Sequence, residues 1–278
     1  GGFSNINHTL QSMNEAYLAF PGANGYMPWA YYVSNIVLWS FFTMGQPHLF
    51  TKFFAMKDHK TIFKAILLGT AGMFFSATLI EWAGVNGIAS IQNIEKADQI
   101  IPMILQRGLN PFLASIFIAG IVAAGMSTID GILVTTTGAV TRDIYQKIIN
   151  KDATDENVMK LSKVVTVIIG IIVICFGVFQ PGSIFEINLF AFSGMAIFVV
   201  PILFGIYWKK ATAKGAIASV IVGIISLLLF TLNPSVKALA MGFHALFPTT
   251  IIASIVMIVV SKFTKTPPQE TIDRHFTV

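Results

Sequence analysis

Charge is scarce in this chain. Asp, Glu, Lys and Arg make up 11% of its 278 residues, whereas a soluble domain carries about 25%. With 55% hydrophobic residues, that scarcity excludes an ordinary soluble domain. Cysteine is nearly absent. The single Cys175 sits inside an apolar run, so no internal disulfide can form and a Cys-based metal site is excluded. Catalytic motifs are missing too. There is no G-x-S-x-G, H-E-x-x-H, P-loop or GxGxxG, and the five histidines (His8, His48, His59, His244 and His275) are scattered. Nothing here points to an enzyme. The opening GGFSNINHTL has no initiator Met, no basic n-region and no apolar signal core, so it reads as the interior of a longer protein.

Present instead are long apolar runs. Seven candidates for membrane spans follow one another, at roughly 28–50, 62–83, 110–140, 162–179, 187–208, 214–232 and 245–262. Each is near the ~20 residues a bilayer requires. The third is longer than needed and is expected to tilt or to project into the cytoplasm. The expected fold class is therefore all-α: a polytopic membrane protein of about seven transmembrane helices, with the lipid bilayer as its main partner.

The net charge of +5 is spread between apolar runs rather than gathered in one stripe, so it speaks of topology and not of nucleic-acid binding. Lys52, Lys57, Lys60 and Lys64 follow span one. Arg142, Lys147, Lys151, Lys160 and Lys163 follow span three, and Lys209, Lys210 and Lys214 follow span five. Alternate loops are poor in cations. This alternation predicts an extracellular segment at 1–27 and a cytoplasmic tail at 263–278, in the cell membrane. The tail, with its Pro-Pro pair, is expected to be disordered. The stretch around 96–107 is amphipathic and too short to span. It fits either an external surface helix over a vestibule or an ordinary structured loop.

Polar groups in hydrocarbon are expensive and mark pathways. Span three holds most of them. Its centre falls near Ser127, Thr128 and Asp130. Residues three or four apart share a helix face, so the Ala124 carbonyl lies one turn before both hydroxyls. Carbonyl and hydroxyl oxygens suit a hard cation such as Na⁺. The competing role for such hydroxyls is to bond back to the preceding turn or to bridge to a neighbouring helix. Asp130, a midplane carboxylate, is a functional candidate by default: a second charge near the cation, a proton acceptor, or a partner for another span.

Span one carries FFTMGQPHLFTKFF, in which Gly45 and Pro47 weaken the helix. Such breaks are tolerated where freed backbone lines a cavity. Gln46 suits a substrate amide or hydroxyl, and His48 suits a carboxylate. The alternative is a plain kink with His48 at the membrane interface. In span five, Ser193 and Gly194 sit among Phe190 and Phe192, which fits close helix packing or ligand contact.

These stretches resemble the sodium:solute symporter family. SIFIAGIVAAGMSTIDGILVTTTGAVTRDIY is similar to its eighth core helix. GIYWKKATAKGAIASVIVGII matches a long family pattern, running from Gly205 through Lys210, Gly215 and Ala216 to Ser219 and Gly223. The resemblance implies an inverted-repeat transporter in which 28–208 forms the core helices of the second repeat and 209–262 two accessory helices. A first repeat of the same protein would precede them. It implies Na⁺ at Ala124, Ser127 and Thr128, with other ligands from the absent first core helix. It also implies a small organic solute, pantothenate-like in carrying a carboxylate, beside Gly45, Gln46 and His48 and facing Ser193. The alternatives are another solute (proline, a monocarboxylate or a sugar) or a non-transporting module.

Overall fold

The computed structural model describes residues 2–22, 25, 27–91, 94–180 and 182–276. Its elements are helical, with no strand among the described residues. In chain order they are α1 (Phe3–Met13), α2 (Trp29–Phe41), α3 (Pro47–Phe54), α4 (His59–Ser90), α5 (Ile100–Gly108), α6 (Pro111–Gly138) and α7 (Asp155–Phe179). Then follow α8 (Ile184–Ala196), α9 (Val199–Tyr207), α10 (Ala213–Leu232), α11 (Pro234–Ala238), α12 (Leu246–Lys262) and α13 (Gln269–Phe276).

Local chemistry sets many of the ends. The Asp58 carboxylate accepts from the Thr61 amide at 2.7 Å and starts α4; Thr61 also holds that carboxyl below its ordinary pKa. Asn110 accepts from the Leu113 amide at 2.9 Å, and Pro111 opens α6 where its missing N–H is not needed. Past Gly138 the same helix widens into π geometry over Ala139–Ile149, closing with an Asn150 N–H bond to the Tyr145 carbonyl five residues back, at 2.7 Å.

Among the described residues, five helical stretches are long and apolar enough to cross a membrane: His59–Ser90, Pro111–Ile149, Asp155–Phe179, Ile184–Tyr207 (α8 and α9 with a turn between them) and Ala213–Leu232. The chain is a polytopic membrane protein. Two of the seven expected spans differ. Leu246–Lys262 is apolar but has 17 residues, which at ~1.5 Å per residue falls short of the ~30 Å hydrocarbon core. The 28–50 span is not one helix. It runs as α2, a 3₁₀ turn over Phe42–Gly45 and α3, because Pro47 cannot continue the preceding hydrogen-bond ladder.

The chain divides into two compact units, Gly1–Gln46 with Phe185–Val278, and Pro47–Ile184. In the first, α10 and α12 pack through small residues. Gly215, Ser219 and Gly223 recur every fourth position. A Cβ on Gly215 would overlap Ser261, and one on Gly223 would lie 2.6 Å from Ile197. Thr212 caps α10 and ties it to Ser261 and Thr264, the latter at 2.7 Å. The tail expected to be disordered instead forms α13, where Gln269 bonds Asp273 at 2.8 Å and the Phe276 ring lies 5.8 Å from the Lys209 ammonium.

In the second unit, α5 packs on α4. Ile100 and Ile104 close over Gly87, where a Cβ would overlap them. The amphipathic 96–107 stretch is thus a helix, entered through a 3₁₀ turn at Ala97–Gln99. α6 and α7 are joined by a hydroxyl ladder: Thr137 meets Thr166 at 3.1 Å, and Ser162 donates to Thr141 at 3.1 Å. The apolar windows of α4 and α7 are unburied, as helices facing lipid or further protein would be.

Candidate functional site

The oxygen patch on α6 is local in origin. Ser127 Oγ donates to the Ala124 carbonyl at 2.9 Å, and Thr128 Oγ1 reaches the same carbonyl at 3.5 Å. Three oxygens thus converge on one turn. Back-bonding leaves lone pairs on both hydroxyl oxygens directed away from the helix, where a cation could accept them. Ser127 and Thr128 are exposed on the described chain. The remaining ligands of a complete cation site must come from outside this helix.

The same face continues one turn on. Gly131 lies three residues past Thr128, and a Cβ there would stand 3.6 Å from His48 Cδ2, in ordinary van der Waals contact. The imidazole, carried at the start of α3, thus lies close to α6 at Gly131, with room there for a methyl group but not for a large side chain. Thr135 bonds the Gly131 carbonyl at 2.8 Å, extending the line of hydroxyls along this face. The structure brings His48 against Gly131, one turn beyond the α6 oxygens, a juxtaposition that local spacing does not predict.

Asp130 flanks this face. At about 100° per residue it lies about 60° round the helix from Ser127, one turn before it, and about 160° from Thr128. It is exposed, and the ion pairs among the described residues, Arg142–Asp155, Lys147–Asp143 and Lys160–Glu156, do not include it. Among the described residues no three His, Cys, Asp or Glu side chains gather as a metal cluster. The α6 oxygens are the arrangement suited to a hard alkali cation.

In the other unit the break is well defined. Gln46 has an extended backbone (φ −98°, ψ 101°) between the 3₁₀ turn and Pro47, and its side chain is buried. Gly45 is buried against the end of α8, where a Cβ would overlap the Met195 carbonyl. Its contribution is close approach. Ser193 is fully buried on α8 and donates to the Leu189 carbonyl at 2.6 Å. Beside it, Phe192 meets Phe42 at 4.5 Å and Trp39 at 5.6 Å, an aromatic wall next to the break.

Sequence reasoning missed Asn35. Its side-chain amide donates to the Tyr31 carbonyl at 3.0 Å, while Oδ1 is the one buried side-chain atom without a hydrogen-bond partner among the described residues. An orphaned buried acceptor is costly unless a ligand satisfies it. The available signal was an asparagine within the apolar run YYVSNIVLW.

Comparison with known proteins follows the same lines. The profile of the Sodium:solute symporter family matches residues 1–223. The chain is 32% identical over 275 residues to the sodium/pantothenate symporter of Escherichia coli K12, covering 98% of this chain and 56% of that one. It is 32% identical over 264 residues to the sodium/pantothenate symporter of Haemophilus influenzae, covering 94% and 54%. It is 27% identical over 273 residues to the osmoregulated proline transporter OpuE of Bacillus subtilis, covering 96% and 54%. The chain spans about half the length of the curated relatives it matches. No solved structure matches it significantly.

Proposed function

The chain belongs to the sodium:solute symporter family, and from that membership we propose that it supplies the ion-binding helix and the broken helix of a carrier that imports a small organic solute with Na⁺. The observation that carries this reading is the convergence of the Ala124 carbonyl with the Ser127 and Thr128 hydroxyls on one turn of α6. Na⁺ is a transported co-substrate here. It would take these three oxygens plus ligands from a preceding half of the same protein, which would also cover the exposed α6 face. Ion entry from outside then releases about 2.3 kcal/mol per charge per 100 mV of membrane potential, enough to drive uphill solute entry.

Solute binding is assigned to the residues around the break. Gln46 and the orphaned Asn35 Oδ1 offer hydrogen bonds to an amide or hydroxyl. His48, against Gly131, offers one to a carboxylate. Gly45 permits the break, and Ser193 lies in the α8 stretch that faces the solute. Pantothenate carries all three chemical groups, and two relatives are named for it. The alternation of cation-rich loops supports a topology with residues 1–27 outside and 263–278 in the cytoplasm. Asp130, one turn past Ser127, is assigned a proton-linked role or that of a second charge beside the Na⁺ ligands.

The test is counterflow of labelled pantothenate into proteoliposomes bearing the full-length protein. Na⁺-dependent exchange is expected, with loss on Gln46→Ala or His48→Ala. Uptake untouched by both substitutions would sink the pocket assignment. Because one relative is named a proline transporter, proline is the second candidate. Proline exchange without pantothenate exchange would move the substrate and leave the ion site standing.

A further inference from the structure

The Gly1–Gln46 and Phe185–Val278 unit contains a cavity of about 680 Å³ that none of the residues assigned above lines. Its volume suits a small organic ligand. Four aromatic side chains supply apolar wall: Tyr31 from α2, Phe190 from α8, Phe230 from α10 and Phe243 from the turn before α12. Charged and ring-nitrogen groups interrupt that wall: Glu186 near the start of α8, Lys237 on α11, and His244, with Thr231 of α10 adding a hydroxyl.

The rim is built, not incidental. The His244 amide donates to Ser34 Oγ at 3.0 Å, and its ring meets Tyr31 edge-on at 5.7 Å. Phe243 stacks on Phe247 at 4.5 Å, and Gly242 takes the positive φ of 83° that the turn requires. Burial, with Lys237 as a smaller cause, lowers the His244 pKa to about 4, so the imidazole is neutral at pH 7. Its Nδ1 accepts from the Leu246 amide at 3.3 Å. The proton must then be on Nε2, which makes that atom a donor.

One acid, one base and one neutral donor around an apolar wall select a ligand that is neutral overall but carries both signs. We propose that this cavity is a second binding site, lined by other residues than those assigned to the transported solute, for a zwitterionic amino acid with a large apolar side chain. The ammonium would pair with Glu186, the carboxylate with Lys237 and His244 Nε2–H, and the side chain would lie on the phenyl walls. This site stands independently of the transport reading.

The test is equilibrium binding of L-phenylalanine to the full-length protein in nanodiscs, measured by saturation-transfer NMR with saturating pantothenate present. Phenylalanine should bind saturably and at least tenfold tighter than 3-phenylpropanoate, which lacks the ammonium, or phenethylamine, which lacks the carboxylate. Lys237→Gln should weaken it tenfold or more, Lys237→Arg should restore it, and Ala238→Trp, which fills the cavity from an exposed lining position, should abolish it. Monodisperse elution of each variant guards against misfolding. No saturable binding, full displacement by pantothenate, or equal binding in Lys237→Gln and wild type overturns the proposal. Because the readout is binding and not uptake, its failure is distinguishable from failure of the transport reading.

Discussion

Replacing the α6 hydroxyls is the sharpest probe of the ion site. Ser127→Ala removes an oxygen held 2.9 Å from the Ala124 carbonyl, and Thr128→Val removes one at 3.5 Å. Each oxygen is oriented by its helix before any ion arrives, so neither deletion needs to disturb the fold. A hydrogen-bond-scale contact to a charged group is worth about 1.5–3 kcal/mol. At about 1.4 kcal/mol per tenfold, each substitution should raise the half-saturating Na⁺ concentration by roughly 10- to 150-fold. The effects should not add, because both hydroxyls converge on one carbonyl. Thr128→Ser keeps the oxygen and should stay close to wild type. The assay is initial uptake by the full-length protein in proteoliposomes, titrated with Na⁺ at constant ionic strength and clamped potential. Unshifted half-saturation in both deletions would refute the reasoning outright, since no other oxygens on this helix converge in this way.

Asp130→Asn should shift that same Na⁺ titration far less than either hydroxyl deletion, because the Asp130 side chain does not converge on the Ala124 carbonyl as the two hydroxyls do; an equal shift would make it a ligand. Gly131→Ala should preserve uptake, its Cβ being 3.6 Å from His48, whereas Gly131→Ile should displace the imidazole and abolish it. Gly45→Ala forces a Cβ into the Met195 carbonyl and should lower thermal stability by an overpacking cost of about 1–3 kcal/mol, read as a reduced Tm in detergent. His244 has a folded pKa near 4 against 6.5 when free. As pH falls through 6.5 the unfolded chain gains a proton that the fold resists, until about 4. At about 1.36 kcal/mol per pH unit this removes roughly 3 kcal/mol of stability between pH 6.5 and 4. His244→Gln should flatten that part of the Tm-versus-pH curve.

Several features were legible because they are short-range. Five of the seven expected spans follow from run length. The interruption at Gly45–Pro47 follows from a missing donor and a ring clash that hold in any helix. Where expectation and structure part, longer-range packing is responsible. The tail forms α13, with the Phe276 ring near Lys209, some seventy positions back in the chain. In sequence Ser193 fits close packing or ligand contact, and its full burial and its bond to the Leu189 carbonyl are visible only in the packed helices. Asn35 gave only a weak signal, since an orphaned acceptor is defined by every neighbour around it.

The amino-acid order alone determined that this is a many-helix membrane protein and that Ala124, Ser127 and Thr128 share one turn, because hydropathy and 3.6-residue periodicity need no distant partner. Tertiary structure alone decided that His48 rests on Gly131, that Gly45 admits the Met195 backbone, and that Tyr31, Phe230 and His244 enclose one cavity. Those meetings join positions tens to hundreds of residues apart. Which distant surfaces come within a few ångströms is set by how whole helices pack, and no local pattern encodes it.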